Sequence, residues 1–129
     1  MNKEDNLKKR ALDYHQFPKA GKIGVEVTKP AATQDDLTLA YSPGVAAPVR
    51  AIANNENDAY KYTNKGNLVL IVTDGTAVLG LGNTGALSSK PVMEGKSLLF
   101  KIYADVDVFD IEVKCDTPEE FIQLSLIHI

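Results

Sequence analysis

Apolar residues near the start of the chain fall at Leu7, Ala11, Leu12 and Tyr14 or His15, a near-helical spacing, with Glu4 and Asp5 in the first turn. Pro18 follows, so the pattern predicts a helix over residues 2–17. Ile23, Val25 and Val27 then alternate with polar residues or glycine, predicting a short strand within 19–29. Pro30 to Leu39 reads as a connector holding a short helix after Thr33, with Asp35 and Asp36 in its first turn. Tyr41-Ser42-Pro43-Gly44 is a loop that delivers the chain to a helix over about 45–55. Ala46, Val49, Ile52 and Ala53 share one face of that helix, and Asn54, Asn55, Asn57 and Asp58 end it.

Leu68 to Val72 is a continuous branched apolar run, the signature of a strand buried on both faces. Asp74-Gly75 marks a turn, and Ala77 to Leu79 predicts a second short strand. Pro91 to Ala104 reads as a helix with Val92, Leu99, Ile102 and Tyr103 at candidate buried positions. Val106, Val108, Ile111 and Val113 predict another strand. Thr117 as N-cap, Pro118 at the first position and Glu120 completing a capping box open a last helix. Strands alternating with helices define an α/β layered domain with a largely parallel sheet flanked by helices.

Composition narrows the function classes. The 129 residues have room for one domain, and 44% hydrophobic with 24% charged residues is ordinary for a soluble protein. A net charge of −3 argues against a nucleic-acid binder, which needs a basic face. No apolar run approaches the roughly 20 residues of a membrane span. The polar start is no secretory signal, and the single Cys115 can form no internal disulfide, so the expected compartment is the cytoplasm.

Two residues stand out as candidate chemistry. Lys96 lies among Gly95, Ser97 and Leu98-Leu99-Phe100, near the start of a helix expected to be largely buried. A lysine withdrawn from water there has its charged form disfavoured and can act as a base, although most lysines are solvated surface charges. Tyr41 precedes Ser-Pro-Gly, so its phenol projects from a rigid turn and can donate a proton; the commoner fate of a tyrosine is packing. Gly80-Leu81-Gly82-Asn83-Thr84-Gly85 has the G-x-G-x-x-G form of a dinucleotide turn. The helix after it is expected to be interrupted at Ser88-Ser89-Lys90-Pro91, which speaks against that use. Asp74 is read as capping its turn, and Asp105, Asp107, Asp110 and Glu112 as the solvated face of a strand rather than metal ligands. His15 is read as structural or exposed, Cys115 as unreactive, and Tyr14, Tyr60, Tyr62 and Tyr103 as packing residues.

Ala40-Tyr41-Ser42-Pro43-Gly44-Val45-Ala46, the stretch from Val72 to Gly85 and Lys90-Pro91-Val92-Met93-Glu94-Gly95-Lys96 together resemble the amino-terminal domain of bacterial malic enzymes. The resemblance covers nearly all of residues 1–123. It implies oxidative decarboxylation of malate to pyruvate and CO2 with reduction of NAD or NADP. Lys96 is then the general base on the C2 hydroxyl and a substrate contact, and Tyr41 the acid that protonates C3 of enolpyruvate. Mg²⁺ or Mn²⁺ polarises the oxygen; the metal carboxylates and the nucleotide fold are expected beyond Gln123, with none in residues 1–123. Thr76-Ala77 stands where larger eukaryotic-type enzymes carry an arginine after the Asp-Gly turn, so recognition of the malate carboxylates is left unassigned. The resemblance also implies a homodimer or higher homo-oligomer in which the first helix and the Tyr41 region complete a neighbour's site.

Leu124-Ser125-Leu126-Ile127-His128-Ile129 is the in-frame translation of the mosaic end of a common sequencing transposon. The expectation is that residues 1–123 are the native domain, that 124–129 derive from an adapter, and that the 129 residues alone are inactive. One alternative is a non-catalytic regulatory or interaction domain of the same fold; another is a small nucleotide-dependent dehydrogenase using the Gly80 turn.

Overall fold

The computed structural model describes residues 2–126, with side chains through Leu124. The chain divides into two compact units, Val25–Leu68 and the remainder. In the larger unit, helix α1 (Lys3–Gln16) opens with a capping box: the Asp5 N–H donates to Asn2 Oδ1, and the Asn2 N–H donates to Asp5 Oδ2. The smaller unit carries α2 (Gln34–Ala40), α3 (Ala46–Asn54) and α4 (Ala59–Tyr62), with a 3-10 turn between α3 and α4 and another after α4. Thr33 caps α2 in a second box with Asp36, and hydrogen bonds from Thr33 hold the Asp36 carboxyl below its ordinary value.

Strand β1 (Leu68–Thr73), helix α5 (Ala86–Ala104) and strand β2 (Asp107–Glu112) form a β-α-β unit with the two strands paired in parallel. The Val113 N–H extends the ladder by donating to Thr73 O at 2.8 Å. Helix α6 (Pro118–Leu126) closes the described chain. Its N-terminus matches the expected cap, with the Glu120 N–H on Thr117 Oγ1; the Glu120 carboxylate reaches the Asp116 N–H instead of that of Thr117. His128 and the last three residues lie outside the described part of the chain.

Five expectations change. No strand forms within 19–29: alternation alone is insufficient without a partner edge, and Val25 is 100% exposed. Ala77–Leu79 contributes only a single bridge, Val78 to Gly82. The α5 helix begins at Ala86, immediately after Gly85, and carries Pro91 in its interior rather than starting there. Its buried stripe is Ser89, Met93 and Ser97, at i, i+4 and i+8, whereas Val92, Leu99, Ile102 and Tyr103 are exposed. The two serines turn their hydroxyls back onto the helix, Ser89 to Ala86 O at 2.6 Å and Ser97 to Met93 O at 3.1 Å. Polar groups thus become satisfied small side chains, and a helix read for large apolar residues packs through small ones. Strand β1 is likewise less enclosed than a strand covered on both faces, because Leu68 and Val69 are exposed.

Candidate functional site

Tyr41 ends α2, with its N–H donating to Leu37 O at 2.9 Å, and its carbonyl accepts from the Val45 N–H at 2.8 Å. The Gly44 N–H closes the same loop on Thr38 O at 2.9 Å, so near that a Cβ on Gly44 would lie 2.5 Å from this oxygen. Backbone bonds on both sides of the loop therefore fix the tyrosine, whose side chain is 75% exposed as the turn chemistry anticipates.

In the larger unit, Asp74 accepts from the Thr76 hydroxyl at 2.7 Å and the Thr76 N–H at 3.0 Å, which together hold its carboxyl below the ordinary value. The capping role read from sequence is the one it has. Gly75 has φ +73°, and a Cβ there would stand 2.1 Å from Gly85 O, so only glycine lets the two ends of the glycine-rich segment meet. Within that segment the Val78 N–H bonds Gly82 O, and the Gly82 and Leu81 N–H groups bond Val78 O. The Thr84 N–H bonds Gly75 O, and the Gly85 N–H bonds Asn83 Oδ1. The expected interruption of the following helix is absent, so that ground against a dinucleotide turn fails. A partial one replaces it: the N–H groups of Val78, Leu81, Gly82, Thr84 and Gly85 are engaged within the turn and are not free for a pyrophosphate.

Lys96 sits in α5 next to the buried stripe, one residue before Ser97, and is exposed rather than withdrawn from water. Glu94, two residues earlier, accepts the Lys22 N–H at 2.9 Å and thereby ties the segment after α1 onto α5. The Lys22 stem lies beside Gly95, its Cε 3.8 Å from where a Cβ at that position would stand, an ordinary contact. Lys22 Nζ is shielded from solvent and has no hydrogen-bond partner. The larger unit thus gathers Lys96, Gly95, Glu94 and Lys22, while Tyr41 belongs to the smaller unit. Nothing in the sequence marked Lys22, because Ala20-Gly21-Lys22-Ile23 has no motif and its burial arises only from contact with residues far along the chain.

The acidic strand differs most from its reading. On β2 the buried face carries Val108, Asp110 and Glu112, and the open face carries Asp107, Phe109 and Ile111. Lys90 of α5 reaches across to Asp110 Oδ2 at 2.7 Å and Glu112 Oε2 at 3.2 Å, with the two carboxylates' side chains 0% and 10% exposed. Oδ1 of Asp110 and Oε1 of Glu112 remain buried without a donor. Burial, then the neighbouring Asp110, pushes Glu112 above its ordinary value. Burial also pushes Asp110 up, but hydrogen bonds from Glu112 and Lys90 outweigh it and leave Asp110 lowered. Asp110 in turn raises Lys90. The solvated-face reading holds for Asp105 and Asp107, which pair with Lys101 at 2.7 and 2.9 Å.

Among the described residues no group of three or more His, Cys, Asp or Glu could hold a metal ion. Asp110 and Glu112 are committed to Lys90, so these residues do not fit the divalent cation expected of the chemistry. His15 bonds Ala11 O through Nδ1 at 2.7 Å, a structural role. Cys115 is partly covered, and burial, then Glu120, Asp74 and Asp116, pushes its thiol up, away from a reactive thiolate. No helix among the described residues is long and apolar enough to cross a membrane.

A β-α-β unit whose crossover helix bears a lysine after Glu-Gly, preceded by a self-bonded glycine turn, defines an α/β domain. The family description "Malic enzyme, N-terminal domain" matches residues 20–125, and the chain belongs to this family. It is 61% identical over 121 residues to the NADP-dependent malic enzyme of Escherichia coli (strain K12), covering 94% of this chain and 16% of that protein. It is 51% identical over 119 residues to an NAD-dependent malic enzyme of Rhizobium meliloti (strain 1021), with 92% and 16% covered. The malic enzyme of Pyrococcus horikoshii OT3 superposes with a TM-score of 0.86 at 48% identity, over 92% of this chain and 28% of that one. The chain therefore spans about a sixth to a quarter of the length of these relatives.

Proposed function

We propose that the chain is the substrate-side domain of a malic enzyme that converts malate to pyruvate and CO2 with reduction of NAD or NADP. The observation carrying this reading is Lys96, fixed on α5 after Glu94-Gly95 in a fold shared with proteins named as malic enzymes. Lys96 contacts the substrate and takes the proton of the C2 hydroxyl. After the C3–C4 bond breaks and CO2 leaves, Tyr41 gives a proton to C3. Two groups with separate roles meet the need for a base and then an acid. Hydride acceptance belongs to the nicotinamide and polarisation of the C2 oxygen to Mg²⁺ or Mn²⁺, groups held by other parts of the parent protein. We assign residues 1–123 to the domain and 124–129 to adapter sequence, which reading the source locus past Gln123 tests. The parent protein works as a cytoplasmic homodimer or larger homo-oligomer.

In the full-length protein, Lys96→Ala should lower kcat for malate-dependent NAD(P) reduction by about 10²–10⁴-fold. Tyr41→Phe should release CO2 but form pyruvate slowly, with enolpyruvate accumulating. Unchanged turnover in both variants would refute the assignment. Hybrid dimers of the two variants regain activity if sites are shared between subunits. The isolated 129-residue chain should show no turnover.

A further inference from the structure

Lys22 is the one ammonium among the described residues whose Nζ is both hidden from water and without a hydrogen-bond partner. A charge in that position is costly unless an anion meets it. The nearest carboxylate in the chain does not serve: Glu94 uses its Oε2 to accept the Lys22 backbone N–H at 2.9 Å, and no ion pair joins Glu94 to the Lys22 ammonium. The stem of Lys22 lies beside Gly95, directly before Lys96, with its Cε 3.8 Å from where a Cβ on Gly95 would stand, an ordinary contact.

We infer that Lys22 is a substrate-binding residue that receives one carboxylate of a small dicarboxylate beside Lys96. This rests on the malate reading above and deepens it, supplying the carboxylate contact that Thr76-Ala77 leaves open. The placement has a physical logic. Lys22 is held by its backbone bond to Glu94, so its segment is tied to the helix that carries the proposed base. A lysine ammonium acts as a compact point charge, suited to neutralising a carboxylate without a bidentate geometry.

The test uses the full-length protein with Lys22→Met and Lys22→Arg. Kinetics with malate are combined with calorimetric binding of malonate, an unreactive dicarboxylate, and with thermal melts to confirm folding. Lys22→Met should raise KM for malate at least tenfold and weaken malonate binding by a similar factor, with kcat changed less than threefold. Lys22→Arg should recover most of both. Unchanged KM and malonate affinity in Lys22→Met would overturn the inference, as would a fall in kcat alone, which marks a structural role. Malonate binding needs no turnover. A wild-type protein that binds malonate through Lys22 yet does not oxidise malate would refute the enzyme reading while sustaining the anion site.

Discussion

Gly75 and Gly80 have nearly the same positive φ, +73° and +78°, yet their surroundings differ completely. At Gly75 a Cβ meets Gly85 O at 2.1 Å, whereas at Gly80 nothing lies within 4 Å. Gly80→Ala should therefore cost only the left-handed penalty of about 1–2 kcal/mol. Gly75→Ala adds a backbone clash and should cost at least about 3 kcal/mol, read from urea midpoints of the two variants. The sequence showed Asp74-Gly75 as a turn but ranked all the glycines of this stretch alike, because their separate requirements depend on which strand of the turn lies behind each one. Tyr41 was legible for the opposite reason: its constraint comes from immediate neighbours, Pro43 and Gly44. Lys22 and the true surroundings of Lys96 were not, since both depend on contacts across some seventy positions of chain.

At the level of elements, local chemistry located most helices and left their faces undetermined. Asn2, Thr33 and Thr117 all cap helices where their side chains permit, and those at Thr33 and Thr117 were read directly. The start of α5 was misplaced because Pro91 reads as a first-turn residue, yet it sits inside a helix that begins at Ala86. An interior proline removes one helical hydrogen bond and strains the preceding turn. Pro91→Ala should thus stabilise the chain, by up to about 3 kcal/mol, as a higher melting temperature with unchanged β content. A lower melting temperature would show that the proline ring makes packing contacts outweighing the lost bond. The expected strand at 19–29 failed in a complementary way, since period-two alternation states which face a strand would bury but cannot supply a neighbour to pair with.

For the molecule as a whole, the buried groups of the larger unit are few and mixed: Val78, Met93 and Val108 with Ser89, Ser97 and Asp110. The Lys90–Asp110–Glu112 cluster then becomes a large part of what joins α5 to β2, and its protonation sets a pH dependence. Glu112 is raised above its ordinary value of 4.5 in the fold, so the folded state holds a proton that the unfolded chain releases. Its contribution is complete below pH 4.5 and is lost as pH rises through the folded value. Asp110 is lowered from 3.8, so its contribution is complete above that value and is lost as pH falls through the folded one. The cluster therefore stabilises most in a mildly acidic window around pH 4, between those ordinary values. Urea unfolding of the 129-residue chain should show the midpoint falling from this window toward neutral pH, and Glu112→Gln should abolish that fall. A midpoint in Glu112→Gln that declines as steeply as in the parent would disprove the role of this carboxyl.

The sequence alone determined most turns, the presence of the longer helices, the α/β class and the family, because caps, Pro-Gly turns and short motifs act over a few neighbouring residues. Only the tertiary structure decided which side of each element is inside. It placed two carboxylates beside Val108 under α5, small serines in the helix stripe, and the Lys22 stem beside Gly95. The physical reason is that burial is a property of pairs of surfaces. A periodic pattern tells which residues share a face, but a lysine opposite can make an acidic face the buried one, and that partner is chosen only when the elements meet.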